Sequence, residues 1–147
     1  MADGPSSNSP PWLTFIDHTA DVGIVVSAPD LPTLFARAAW GMFAVITDVP
    51  GVRAETALRV AVEAEDRAAL LVRWLSELNF LHVTQHWLLS RFEIGDFCDT
   101  RLVAVVAGES IDRSRHVVHT EIKAVTFHGL SIESAGGGWR AQIIFDL

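Results

Sequence analysis

Two stretches of this 147-residue sequence repeat their apolar residues every three to four positions, and an aspartate stands just ahead of each. In the first, Leu31, Leu34, Phe35, Ala38, Met42, Val45 and Ile46 fall on one face of a helix. Asp30 stands where an N-cap belongs, and Pro32 sits in the first turn, where its missing N–H breaks no hydrogen bond. Asp48-Val49-Pro50-Gly51 then ends the helix by turn chemistry. In the second stretch Asp66 is the capping residue, and Leu71, Trp74, Leu75, Leu78 and Leu81 form the buried stripe. The other apolar segments follow a period of two or run apolar for a few residues, which is the signature of strands.

The strands can be read in order. Residues 12–16 form a short apolar run, and 17–23 reads as a tight connection. Val22, Ile24 and Val26 then alternate with Gly23, Val25 and Ser27, apolar on both faces, as in a buried strand. Leu58, Val60 and Val62 alternate with Arg59, Ala61 and Glu63, as in a half-exposed one. After the second helix come strands over 88–94, over 101–108 (apolar on both faces, hence central) and over 120–133, the last interrupted at Gly129. Gly136-Gly137-Gly138 makes a turn. Trp139, Ala141, Ile143 and Phe145 line one face of the final strand. The expected architecture is a single α+β domain over residues 12–147, with two helices packed on a mainly antiparallel or mixed sheet. Residues 1–11, rich in Ser, Pro and Gly, read as a disordered lead-in without a signal-peptide core.

Composition narrows the function classes. Half the residues are hydrophobic, enough for a real core, and the formal net charge is −7. Gripping nucleic acid through its phosphates runs on Lys and Arg, so an acidic chain is a poor candidate for direct RNA binding. The single cysteine, Cys98, permits no internal disulfide and makes a reducing compartment, the cytoplasm, the default. No apolar run is long enough to span a bilayer. There is no Gly-x-Ser-x-Gly elbow, no Cys-x-x-Cys and no phosphate-binding glycine loop, so no self-sufficient catalytic set is visible.

The most informative polar residues are Asp21 and Asp146. Asp21 opens one apolar strand, Asp146 closes another, and the α-carboxylate of Leu147 follows it. If the two strands are neighbours, three hard oxygen donors converge. Two carboxylates about 4 Å apart repel by roughly 4 kcal/mol at an effective dielectric near 20, so such a group calls for shared protons or a bound cation. Oxygen-only donors favour Ca²⁺, Mg²⁺ or Mn²⁺ over zinc. The plainer alternative is that Asp21 is a turn residue and the terminus frays.

Other polar residues have bland readings beside functional ones. His82 and His86 share the spacing of a helical metal pair but read as a solvated helix face. His116 and His119 lie in or beside the basic run 113–116, read as a solvated loop. Cys98 reads as a packing residue. His18 and His128 stand at strand ends, and Lys123 is the lone cation of its strand, free to pair with a carboxylate or a phosphate.

Six blocks of the sequence, in order, resemble the archease family: His18-Thr19-Ala20-Asp21-Val22-Gly23; Met42-Phe43 with Thr47-Asp48; Trp74-Leu75 with Glu77-Leu78; Gly108-Glu109 with Asp112 and Arg115-His116; the run 121–128; and Asp146-Leu147. The likeness spans about residue 14 to 147. It implies a small cytoplasmic accessory factor of the RtcB-type RNA ligase, one that promotes guanylylation and multiple turnover in tRNA splicing and RNA repair. RNA would be met only through the ligase, and no membrane is involved. It also implies a divalent cation, calcium in crystals, held by Asp21, Asp146 and Leu147. His18, Lys123 and His128 would orient this rim or face the partner. The sequence departs from the family at Phe127, where tyrosine is usual, at Ile122, where valine is more common, and in its long N-terminal extension. Two rival functions remain: a stand-alone metal-dependent phosphohydrolase, and a chaperone-like interaction module.

Overall fold

The structure, a computed structural model, describes residues 9–17 and 20–147. The Asp30 carboxylate accepts a hydrogen bond from the Thr33 N–H at 2.8 Å and starts α1 (Leu31–Ile46). Asp66 does the same for Ala69 at 2.8 Å and starts α2 (Arg67–Gln85). Each cap satisfies one of the N–H groups that the first helical turn leaves without a partner. A short 3-10 turn, Val49–Gly51, follows α1, where Pro50 was expected to end the helix.

The strands are β1 (Leu13–Asp17), β2 (Asp21–Ala28), β3 (Thr56–Glu63), β4 (Trp87–Cys98), β5 (Arg101–Ser110), β6 (Ala124–Ala135) and β7 (Gly138–Asp146). Their order around the two helices is the expected one, and every pairing is antiparallel. The pairing divides them into two sheets, β1-β2-β7-β6 and β3-β5-β4. β5 is central in its sheet, which explains an apolar sequence on both faces.

Each helix touches both sheets: α1 packs on β2, β7 and β4, and α2 on β6, β3, β4 and β5. A helix with neighbours on several sides needs more than one apolar stripe. Accordingly every residue of α1 from Gly41 to Ile46 is buried. Trp74 of α2 is fully buried, and its indole N–H donates to the Phe35 carbonyl of α1 at 3.0 Å, so the largest core side chain leaves no donor without a partner. Among the described residues no helix is long and apolar enough to cross a membrane.

The N-terminal lead-in lies largely outside the described residues. Its last part is tied down, with the Leu13 N–H donating to the Pro10 carbonyl at 3.1 Å. Three polar assignments need correction. His82 is buried rather than on a solvated face: it falls on the stripe 75, 78, 79, 82, and its ring Nδ1 lies 2.9 Å from the Trp87 carbonyl. His86, the C-cap in the left-handed region at φ 59°, is exposed, as expected. His116 is buried as well, for a reason given below, whereas Cys98 is exposed beside the β4–β5 turn.

Candidate functional site

β2 and β7 are neighbours, and their register sets Asp21 directly opposite Asp146. β1 runs to Asp17 and Asp21 is the first residue of β2, so both ends of the connection expected over 17–23 belong to strands. Residues directly opposite in an antiparallel pair have Cα atoms about 4.5–5.5 Å apart. The polypeptide end is held at the same rim: the Leu147 N–H donates to the Ala20 carbonyl at 3.3 Å, and the Leu147 side chain packs on the core. A third strand borders the rim, because Ala124 of β6 is also in register with Asp146 and the Lys123 N–H donates to the Asp146 carbonyl at 2.8 Å.

The electrostatics of the rim are unbalanced. Among the described residues the Asp21 Oδ1 atom is buried and accepts no hydrogen bond. A buried acceptor without a partner costs about 1–3 kcal/mol, more when charged. Neither aspartate forms an ion pair with a described residue, nor does the exposed Lys123 ammonium. Such an oxygen, opposite a second carboxylate and beside a fixed chain end, suits a hard divalent cation in donor type. The side chains alone fall short of a cluster: no group of three or more His, Cys, Asp or Glu comes together among the described residues.

The supporting residues divide. His18 lies outside the described residues. Lys123 is next to the rim through its backbone. The preceding residue, Ile122, is fixed from α2, where the buried Asn79 donates from Nδ2 to the Ile122 carbonyl at 2.8 Å. His128 is exposed, farther along β6, and no hydrogen bond joins it to either aspartate. Asn79 was missed in the sequence, although a polar residue on a stripe shared with Leu75 and Leu78 is a signal that it holds something buried.

A second polar cluster anchors the segment that leads to Lys123. Glu109 and His116 are both buried. His116 Nδ1 accepts the Asp112 N–H at 2.9 Å, which leaves Nε2–H to donate to Glu109 Oε2, also at 2.9 Å. The Arg115 guanidinium donates to the other carboxylate oxygen, and the Arg53 N–H donates to Oε2 at 2.6 Å. Burial pushes the Glu109 carboxyl up, but the Arg115, Arg53 and His116 hydrogen bonds outweigh it and bring it down to about 2. Farther on, the His119 ring meets the Asp48 carboxylate at 2.9 Å, and the Thr47 hydroxyl donates to the Val117 carbonyl at 2.5 Å. The stretch from 109 to 123 is thus pinned at several points rather than solvated throughout.

Residues 13–147 match the Archease protein family (MTH1598/TM1083). The chain belongs to the archease family. It is 36% identical over 140 residues to protein archease of Methanopyrus kandleri, covering 93% of this chain and 99% of that one. To protein archease of Methanothermobacter thermautotrophicus it is 40% identical over 136 residues, covering 90% and 96%. Among solved structures, the archease fold seen here is similar to the solution structure of Methanobacterium thermoautotrophicum protein 1598, with a TM-score of 0.76, 37% identity, and 92% and 99% of the two chains covered. An archease from Thermotoga maritima, described as a possible chaperone, shares the fold at a TM-score of 0.59 and 20% identity, with 90% and 94% covered.

Proposed function

We propose that this archease is a divalent-cation-binding accessory protein of an RtcB-type RNA ligase. In this reading it promotes the ligase's guanylylation and multiple turnover in tRNA splicing and RNA repair, in the cytoplasm, and carries no catalysis of its own. The observation that supports it best is the pairing of Asp21 with Asp146, with one Asp21 oxygen buried and without a partner among the described residues, beside a tethered Leu147. Asp21, Asp146 and the Leu147 carboxylate would hold Ca²⁺, Mg²⁺ or Mn²⁺. A cation bound there supplies concentrated positive charge to an otherwise acidic rim.

The chain's own contribution is positional. β2 and β7 fix the two carboxylates, and Asn79 and the Glu109 cluster hold the backbone that presents Lys123. The Lys123 ammonium, without a carboxylate partner among the described residues, is available to a phosphate or to the ligase. The net charge of −7 favours approach to a basic nucleotide site on the ligase rather than to RNA itself.

The test is multiple-turnover ligation by the ligase with wild-type protein, Asp21→Ala and Asp146→Ala. Loss of stimulation by both variants, with an unchanged circular dichroism spectrum, is the expected result. Stimulation that survives both changes overturns the metal reading in favour of a chaperone-like module. Hydrolysis of generic phosphoesters without ligase, abolished in Asp21→Asn, would favour the phosphohydrolase instead.

A further inference from the structure

β6 is the outer strand of its sheet, and its pairing with β7 is broken at one place. Thr126 is in register with Ile144 and Ser131 with Gln142, so the four residues 127–130 stand opposite the single Ile143. The protrusion carries Phe127, which is 61% exposed, the most exposed large apolar side chain among the described residues. Exposed His128 follows it.

This protrusion is a built feature. The Gln142 side-chain amide of β7 donates to the Gly129 carbonyl at 2.8 Å, and the Thr126 hydroxyl donates to the Ile144 carbonyl at 3.2 Å. Gly129 has φ 71°, and a Cβ there would meet Ile144 Cγ1 at 3.1 Å, so the backbone rests closely on β7. Leu130 returns to the core. A bulge by itself protects a sheet edge from pairing, but that task asks for no phenylalanine at the crest. A single exposed apolar residue is ordinary on a protein surface. One held on a hydrogen-bonded crest gives up little freedom on binding, and aromatic side chains of this kind dominate interface energetics.

Position and charge identify the occupant. Ala124 is in register with Asp146, so Phe127 lies three residues farther along β6, about 10 Å away. Exposed Asp17, Asp146 and Glu121 make the rim at the start of β6 acidic on balance, with the exposed Lys123 among them. We propose that Phe127 is an anchor that enters an apolar pocket on the ligase, a pocket set in a basic surface, and so fixes the Asp21–Asp146 rim over that partner's nucleotide site. This inference rests on the accessory-protein reading and adds to it the contact surface.

Calorimetric titration of the full chain into the ligase tests it, using wild type, Phe127→Ala and, as a control, Phe80→Ala, which removes another exposed phenylalanine on α2. Phe127→Ala is expected to weaken binding at least tenfold, with the salt dependence of affinity, divalent-cation binding and melting temperature unchanged. Phe80→Ala is expected to bind as wild type. Gln142→Ala, which frees the crest but keeps the ring, is expected to weaken binding severalfold. Wild-type affinity in Phe127→Ala, or an equal loss in Phe80→Ala, overturns the anchor while leaving the accessory function standing. No binding by the wild-type chain overturns both.

Discussion

If the Asp21–Asp146 rim is built for a cation, the metal-free protein carries a fault that a mutation can remove. Asp21 Oδ1 is buried and accepts no hydrogen bond among the described residues, opposite a second carboxylate in register. Asp21→Ala deletes that acceptor and its charge from the start of a strand that otherwise stays intact. A buried unsatisfied acceptor costs about 1–3 kcal/mol. Asp146 is exposed, so its repulsion adds only a solvent-screened increment. The expected gain in metal-free stability is about 1–2 kcal/mol, which for a chain of this size is about 3–8 °C in melting temperature.

Excess cation should reverse the order. A ligand that binds only the folded state at about 100 times its dissociation constant stabilises by about 2.7 kcal/mol. Wild type gains that increment and Asp21→Ala does not. Thermal melts of both proteins in chelator and in millimolar Ca²⁺, Mg²⁺ or Mn²⁺ should therefore cross, with the variant more stable without metal and wild type more stable with it. An Asp21→Ala protein less stable than wild type in chelator would show that the oxygen is satisfied. Melts that do not respond to any of the three cations would refute the metal argument itself.

Three further outcomes follow from the packing. Glu109 is held near 2 in the folded chain against an ordinary value of 4.5, so the unfolded state binds the proton more readily. The stabilisation is fully present above about pH 4.5 and drains away as pH falls from there toward about 2; Glu109→Gln should flatten that part of an acid-unfolding profile and lose about 2–4 kcal/mol at neutral pH by urea titration. Trp74→Phe removes the indole donor to the Phe35 carbonyl, which keeps its helical N–H partner, and opens a small void, an expected loss of about 2–3 kcal/mol in the same assay. Asp66→Ala removes the α2 cap and should cost about 1 kcal/mol, visible as faster hydrogen exchange confined to the first turn of that helix.

The parts of this fold that were legible in the sequence are those settled by local chemistry. Both capping aspartates, both helices and the order of all the strands follow from periodicity and turn residues. The division into two sheets was not legible, because β2 pairs with β7 and β3 with β5 across long stretches of chain, and period-two patterns say nothing about partners. Burial of polar residues failed for the same reason. His116 looks like part of a basic loop until β5 supplies Glu109 to pair with it, and His82 looks solvated until the strand after the helix offers a carbonyl. Cys98 erred in the other direction, since it sits where β4 ends at a turn and nothing covers it.

The rim itself was legible as a conditional statement. Two isolated aspartates at the ends of apolar runs matter only if those runs are adjacent and antiparallel in one particular register, since a one-residue slip would place Asp146 on the other face from Asp21. What fixes the register is the interior: Ile24 opposite Ile143 and Val26 opposite Ala141 are buried together, and a one-residue slip would turn one strand's set outward. The carboxylate pair is therefore a consequence of core packing several residues away. Replacing Ile24 or Ile143 by a smaller residue should disturb cation binding without touching a donor. Ile143→Ala, with an expected loss of about 2–5 kcal/mol in stability, is the variant in which weakened cation binding and weakened sheet closure should be seen to fall together.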